Sequence, residues 1–475
     1  MTMRNVCDRR AFLKGTAWMG VTAAAAGCLG VRGGSAGAGK MATFAAPPLK
    51  KVRVGIVGLG SRGAAAVPRL AMLPGVEIAA MCDRRQDQLD DRIKLLKPEQ
   101  RAKVKFFLGE EAWKDLCEYD GIDVVYNTTP WRLHAPIGLR ALECGKHAFI
   151  EVPAAMTLDE CWALVEASER YGRHCMMLEN CCYGETELLA LNLCRQGLLG
   201  EIVHGEGAYI HDLRLANWHP HGYTDYWRLK ENAAHGGNRY PTHGLGPVCQ
   251  YMNINRGDRL DYLVSMESRQ AGFEAYARAV YPGEKWKTDL RIAMGDMNST
   301  LIRTALGRTI LVQHNVTGPR PYSRINLISG TRGILCGYPY RVGWTEKPED
   351  ALHEFFDEKK AAEVREKYAH PLWKAAGEIG RRVGGHDGMD FLMDLRWAYC
   401  LQNGLPLDMN VYDLAAWSSL CELTERSVRS RSRPVDVPDF TLGAWKTTPP
   451  LGIESFDPAK LRLDGMTSAA GQMSV

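Results

Sequence analysis

Between residues 51 and 180, short apolar runs alternate with amphipathic stretches at regular intervals. Residues 52–57 form a β-type run, 64–73 continue with helical periodicity, and 76–81 read as a second strand. A further strand is predicted over 122–127, a helix over 137–144 closed by Gly145, and a strand over 147–151. Residues 158–171 form a strongly amphipathic helix with Thr157 at its N-cap and Glu160 three residues on, a capping box. Strands alternating with helices predict an α/β unit, a doubly wound parallel sheet covered on both faces. Beyond about residue 180 the pattern changes. Residues 202–212 and 300–315 read as longer alternating strands, with 308–314 in a hairpin-like stretch after Gly307, and 388–403 and 411–426 are helical. This predicts a C-terminal α+β domain on an open, mainly antiparallel sheet with one face against helices. No internal repeat is visible.

The first residues read as a targeting signal rather than as part of the fold. Arg9-Arg10-Ala11-Phe12-Leu13-Lys14 resembles a twin-arginine export motif and is followed by a modest apolar stretch, residues 17–30. Export by that route would leave the protein periplasmic or held at the envelope. Ala25-Ala26-Gly27-Cys28 resembles a lipoprotein cleavage site, although Ala stands where Leu is usual, so a lipid anchor at Cys28 remains an option. Residues 30–49, rich in Gly, Ala and Pro, read as linker. The predicted organisation is therefore 1–49 signal and linker, 50–180 the α/β unit, 181–440 the α+β domain, and 441–475 a tail. No other apolar run approaches the roughly 20 residues of a membrane span.

Composition adds little to this picture. The 475 residues suffice for two cores, and a net charge of +4 without a basic stripe argues against nucleic acid as a partner. The fourteen cysteines include no CxxC pair and no Cys/His metal spacing. A twin-arginine substrate folds in the reducing cytoplasm, so they are expected to be buried small hydrophobes, and a bond between the adjacent Cys181 and Cys182 is not expected. The histidines His204, His211, His219, His221 and His235 fit no usual ligand spacing and read as a polar wall, with no metal expected.

Gly58-Leu59-Gly60-Ser61-Arg62-Gly63 is G-x-G-x-x-G, placed after a strand and at the opening of a helix. Its first glycine allows a tight turn, its second a close approach of backbone to pyrophosphate, and its third close helix–strand packing. Asp83 follows at the end of the second strand, where a carboxylate accepts the ribose 2′-hydroxyl and repels a 2′-phosphate. The context is a Rossmann dinucleotide site, with NAD preferred over NADP, although Arg84 or Arg85 could hold a 2′-phosphate.

Residues 51–435 resemble the Gfo/Idh/MocA oxidoreductases, and most closely glycoside hydrolase family 109. The resemblance is carried by Gly58 to Gly63, Asn127-Thr128-Thr129-Pro130-Trp131 with His134, Glu151-Val152-Pro153-Ala154-Ala155, Glu179-Asn180, and Tyr240-Pro241-Thr242-His243-Gly244-Leu245-Gly246-Pro247. It implies that Ser61, Arg62, Asp83, Trp131, Arg132, Leu133, His134, Glu151, Val152 and Asn180 contact NAD. It further implies that Tyr209, Arg228, Tyr240, Pro241, Thr242, His243 and Tyr322 line a sugar site. Many dehydrogenases of the superfamily carry Glu-Lys-Pro where this chain has Glu151-Val152-Pro153, and the lysine moves their proton. Val152 cannot.

His243 is the candidate for proton transfer, since a neutral imidazole accepts a proton near physiological pH. Tyr183 and His386 are reserves. The resemblance implies an α-N-acetylgalactosaminidase that oxidises C3, eliminates across C1–C2, adds water and reduces C3 again. The partner is then a small-molecule or glycan substrate, with a homo-oligomer also compatible. The rivals are a conventional sugar dehydrogenase and a non-catalytic NAD- and sugar-binding envelope protein.

Overall fold

A computed structural model describes residues 39–453 except Pro348; Arg9, Arg10, Cys28 and the residues after 453 lie outside it. The first sheet contains β1 (Val52–Val57), β2 (Val76–Asp83), β3 (Lys105–Leu108), β4 (Val124–Asn127), β5 (His147–Ile150) and β6 (Cys175–Met177). Their order is β3-β2-β1-β4-β5-β6, and every neighbouring pair is parallel. β1, β4 and β5 are almost wholly buried, which explains why they are mainly apolar. Strand order reverses between β1 and β4, and that switch point opens a crevice beyond the strands' C-terminal ends.

The capping box is present at the helix Leu158–Tyr171: Glu160 N donates to Thr157 Oγ1 at 3.2 Å and Thr157 N to Glu160 Oε2 at 3.1 Å. A helix from the far end of the chain, Met389–Asn403, also packs on this unit. Its Asp394 receives Arg69 Nε at 2.5 Å and the Tyr126 hydroxyl at 3.1 Å, while Trp397 packs on Phe149.

The second sheet contains β7 (Ile202–Ile210), β8 (Leu260–Glu267), β9 (Asn298–Thr304), β10 (Thr309–Asn315), β11 (Leu327–Gly330), β12 (Gly333–Gly337), β13 (Tyr340–Trp344) and β14 (Val435–Asp436). Their order is β13-β12-β11-β7-β10-β9-β8-β14, antiparallel except for β7 with β10. The stretch read as 300–315 is the β9–β10 hairpin, turned at Gly307 with φ +88°. The helix read as 411–426 is two, Val411–Ser418 and Leu420–Arg429. At the break the Ser419 hydroxyl donates to the Ala416 carbonyl at 2.8 Å, competing with the backbone ladder.

From Gly39 on, the stretch read as linker is docked. Met41 N donates to the Tyr412 hydroxyl, Ala46 N to His174 Nε2, and Leu49 N to the Leu401 carbonyl. The described cysteines are all free, and all but Cys144 and Cys194 are buried. Cys181 and Cys182 lie in a short 3₁₀ turn, Asn180–Tyr183, not in a strand, and are unbonded. Among the described residues no helix is long and apolar enough to cross a membrane.

Candidate active site

The loop after β1 enters the helix Ser61–Ala71, whose N-cap Gly60 makes no side-chain hydrogen bond and whose first turn holds no acid. Its amide groups are left for an anion. Gly58 has φ +86°, and a Cβ on Gly63 would stand 2.1 Å from the Gly58 carbonyl oxygen, so both need glycine. A Cβ on Gly60 would meet nothing within 4 Å, so this part of the loop faces open space. Asp83, at the end of β2, accepts Leu59 N at 2.7 Å and Arg85 N at 2.9 Å. Arg84 is engaged by Glu110 and Asp225, and Arg85 by Asp87. Neither arginine is left unpaired for a 2′-phosphate. The loop and Asp83 therefore fit NAD.

At the crevice floor Trp131, Arg132 and Leu133 form a 3₁₀ turn after β4. Trp131 is buried and donates Nε1 to the Val152 carbonyl at 3.2 Å, whereas Arg132 is exposed. The His134 ring nitrogens lie 2.7 Å from the Pro153 and Thr129 carbonyls, bracing the loops after β4 and β5 together. Glu151 receives Arg62 Nε at 2.7 Å, and Arg62 Nη1 reaches Asp390 at 3.1 Å. Asp390 also accepts Asn180 Nδ2 at 2.5 Å. Ser61, Arg62, Glu151, Val152 and Asn180 are thus gathered at one mouth.

The residues expected to line a sugar site converge from four segments. Tyr209 ends β7, Arg228 lies in the helix Trp227–Ala234, Tyr322 precedes β11, and Tyr240 to His243 lead into the helix Thr242–Tyr251, with Pro241 at its N-cap and Thr242 buried. The Tyr209 ring centroid lies 4.6 Å from that of Tyr240, 5.4 Å from His243 and 6.2 Å from Tyr322. Tyr240 packs against Trp131 with ring centroids 6.0 Å apart, joining the residues expected at a sugar site to those expected at the cofactor. Burial pushes the Tyr209 phenol up to about 12. The Tyr322 hydroxyl accepts Arg324 Nη1 at 2.9 Å.

His243 Nδ1 is 2.6 Å from Glu179 Oε1. Glu179 is fully buried. Burial opposes its charge, yet the His243 imidazole and their shared hydrogen bond hold the carboxyl below the usual carboxylate range. With Nδ1 donating to that carboxylate, Nε2 carries the lone pair. Glu179, Cys181 and His243 are close enough for a metal, but Glu179 Oε1 already serves His243 and the Cys181 amide, and burial pushes the Cys181 thiol up.

Neither reserve joins the His243–Glu179 pair. The Tyr183 hydroxyl donates to Asp408 in the buried Arg396 pair, and His386 lies on the rim beside Asp390 and Arg62. Of the five histidines read as a wall, only His211 joins the site, its Nδ1 3.3 Å from the Tyr209 hydroxyl. His204 bonds Thr309 in the sheet and His235 pairs with Glu425. Glu179 was marked only as part of the Glu179-Asn180 block and His211 only as one of five histidines, because what gives each its place in the site is a neighbour brought by folding.

Residues 52–179 match the family described as "Oxidoreductase family, NAD-binding Rossmann fold", and residues 183–447 match "Glycosyl hydrolase 109, C-terminal domain". The chain belongs to glycosyl hydrolase family 109. Among curated proteins, a family 109 member of Shewanella pealeana is 49% identical over 408 residues, covering 86% of this chain and 89% of its own. A second, from Shewanella amazonensis, is 46% identical over 451 residues, covering 94% and 99%. Among solved structures, levoglucosan dehydrogenase in complex with NADH and levoglucosan shares the fold at 19% identity, with a TM-score of 0.61 over 82% of this chain and 100% of that one. Scyllo-inositol dehydrogenase from Lactobacillus casei, with bound NAD(H) and scyllo-inositol, does so at 14% identity, with a TM-score of 0.57 over 82% and 99%. This family 109 chain thus carries an NAD-binding Rossmann unit beside a glycosidase-family domain.

Proposed function

We propose that the chain is an α-N-acetylgalactosaminidase acting without net oxidation. C3 of the sugar is oxidised, the aglycone leaves by elimination across C1–C2, water adds, and C3 is reduced. The observation that supports this most directly is the exchange of proton-moving groups. Val152 stands where a dehydrogenase of this superfamily carries lysine, while His243 backed by Glu179 stands on the sugar side. Bound NAD would accept the C3 hydride and return it. The chain's own residues do the rest. Tyr209, Tyr240 and Tyr322 offer ring faces and polar tips to the sugar. His243 Nε2 takes the C2 proton made acidic by the C3 ketone, and Glu179 stabilises the imidazolium. The arginine pair Arg9-Arg10 supports twin-arginine export of the folded protein, with Cys28 as an alternative point of lipid attachment.

The test uses protein purified without added cofactor and p-nitrophenyl α-N-acetylgalactosaminide. The expected result is nitrophenol far in excess of enzyme with no net change in nicotinamide absorbance. Accumulating NADH with an oxidised sugar would make it a dehydrogenase, and bound cofactor without product a binding protein. Other p-nitrophenyl sugars then define the sugar.

A further inference from the structure

Six arginines are buried among the described residues. Five pair with a carboxylate: Arg69 with Asp394, Arg239 with Glu231, Arg256 with Asp413, Arg324 with Glu187 and Arg396 with Asp408. Arg228, only 5% exposed, pairs with none described. Its Nη1 donates to the Tyr223 hydroxyl at 2.9 Å, but Nε and Nη2 are buried without any partner. The guanidinium carbon lies 4.6 Å from the Tyr240 ring, 5.0 Å from Trp131, 5.1 Å from Tyr223 and 5.8 Å from Tyr209. Ring faces offset part of the cost of burying the charge. They do not satisfy two N–H groups, and an unmet buried donor is costly. The site is built for an acceptor that arrives with the substrate.

Its position says which acceptor. With Asp83 on β2 and the glycine loop after β1, a dinucleotide runs across the switch point toward the ends of β4 and β5. Trp131, bonded to the Val152 carbonyl, lies at those ends, so Arg228, packed on its ring, would stand toward the reacting half of a bound dinucleotide. It also shares the Tyr209 and Tyr240 rings with His243.

We propose that Arg228 is a catalytic residue whose free N–H donors hold the C3 oxygen of the substrate while that oxygen is an enolate. The inference rests on the glycosidase reading above. In the 3-keto glycoside the C2–H bond breaks and its proton passes to His243 Nε2. The electron pair forms C2=C3, and negative charge moves to the C3 oxygen against Arg228. The C3 carbonyl then re-forms as a C1=C2 bond appears and the C1–O bond breaks. The aglycone oxygen leaves with that electron pair and takes up a proton. Donors fixed before the charge develops need no reorganisation as it appears.

The experiment starts after the hydride step. Methyl 3-keto-α-N-acetylgalactosaminide is incubated with holoenzyme in D₂O, and deuterium at C2 and released methanol are followed by NMR. Arg228→Met should slow both by about 10² to 10³, the cost of a lost oxyanion donor. Binding of the same keto glycoside, read from tryptophan quenching, should weaken by less than roughly tenfold, because the contact strengthens only as charge develops. Arg228→Lys, which keeps the charge but not the fork, should recover part of the rate. An apolar side chain replacing an unpaired charge should leave the melting temperature of Arg228→Met unchanged or raised. Exchange at the parental rate in Arg228→Met, or equal losses of rate and affinity, would overturn the role alone. A parent enzyme that neither exchanges C2 nor releases methanol would overturn the glycosidase reading, and the role with it.

Discussion

At the scale of the residue, the proposed chemistry rests on one short contact, His243 Nδ1 to Glu179 Oε1 at 2.6 Å. With Nδ1 donating to the carboxylate, Nε2 is left free for the proposed role of base. His243→Ala should lower nitrophenol release by about 10² to 10⁴, the usual range for a lost general base. NAD content should be unchanged, because the residues of the glycine loop are untouched. Glu179→Gln removes the charge that faces the protonated ring after proton transfer, so kcat should fall by about tenfold or more with NAD content unchanged. A parental rate in His243→Ala would pass the base to another group, and a parental kcat in Glu179→Gln would detach the carboxylate from the chemistry. The sequence marked both residues through their motifs, but their pairing becomes legible only when a helix 64 residues away delivers the imidazole to Glu179.

At the scale of the element, the cofactor end depends on how closely the helix Ser61–Ala71 approaches the loop after β1. The Gly58 carbonyl occupies the place where Gly63 would carry a side chain. Gly63→Ala must therefore push the helix off the strand and withdraw its N-terminal amides from the pyrophosphate. The variant should retain less than about a tenth of the parental NAD, measured on denatured protein, with glycosidase activity falling in step. Full NAD occupancy in Gly63→Ala would mean that the loop does not hold the pyrophosphate. Arg62 adds a second tie, through Glu151 and Asp390, between this helix and the late helix Met389–Asn403.

At the scale of the whole molecule, stability should depend on pH through histidines buried as neutral rings. Burial holds His147 and His314 at about 3 and His370 at about 4, with Arg173, Arg228 and Arg195 respectively the next contributors in the same direction. In the unfolded chain these rings protonate near their ordinary value of about 6.5. Above that value they contribute no pH dependence. Below it the unfolded state binds protons that the folded state refuses, so stability falls until the folded-state values are reached. Each ring contributes a slope of about 1.4 kcal/mol per pH unit in that window. The melting temperature should be flat from pH 8 to 7 and fall steadily from about 6.5 towards 5. A flat profile down to pH 5 would show that these rings are already open to protons in the folded state.

Local chemistry determined a good deal by itself. The parallel sheet was legible because β1, β4 and β5 are almost wholly buried and so are mainly apolar, with polar residues only at Arg53, Asn127 and His147. The helix Leu158–Tyr171 was legible to the residue because its cap is written in neighbouring side chains, Thr157 and Glu160. The glycine loop and Asp83 could be read because turn, close approach and ribose contact all lie within one strand–helix–strand unit. The short strands β11 to β13 were not legible, since four or five residues cannot establish a period. Nor was the break at Ser419, where one hydroxyl decides. Tertiary structure alone docked residues 39–49, which read as linker because Gly, Ala and Pro carry no periodicity. It alone brought Glu179 to His243, and left Arg228 without an acid in its aromatic cage. Such facts depend on groups distant in the chain meeting where water is excluded, and a pattern of neighbours along the sequence holds no record of that.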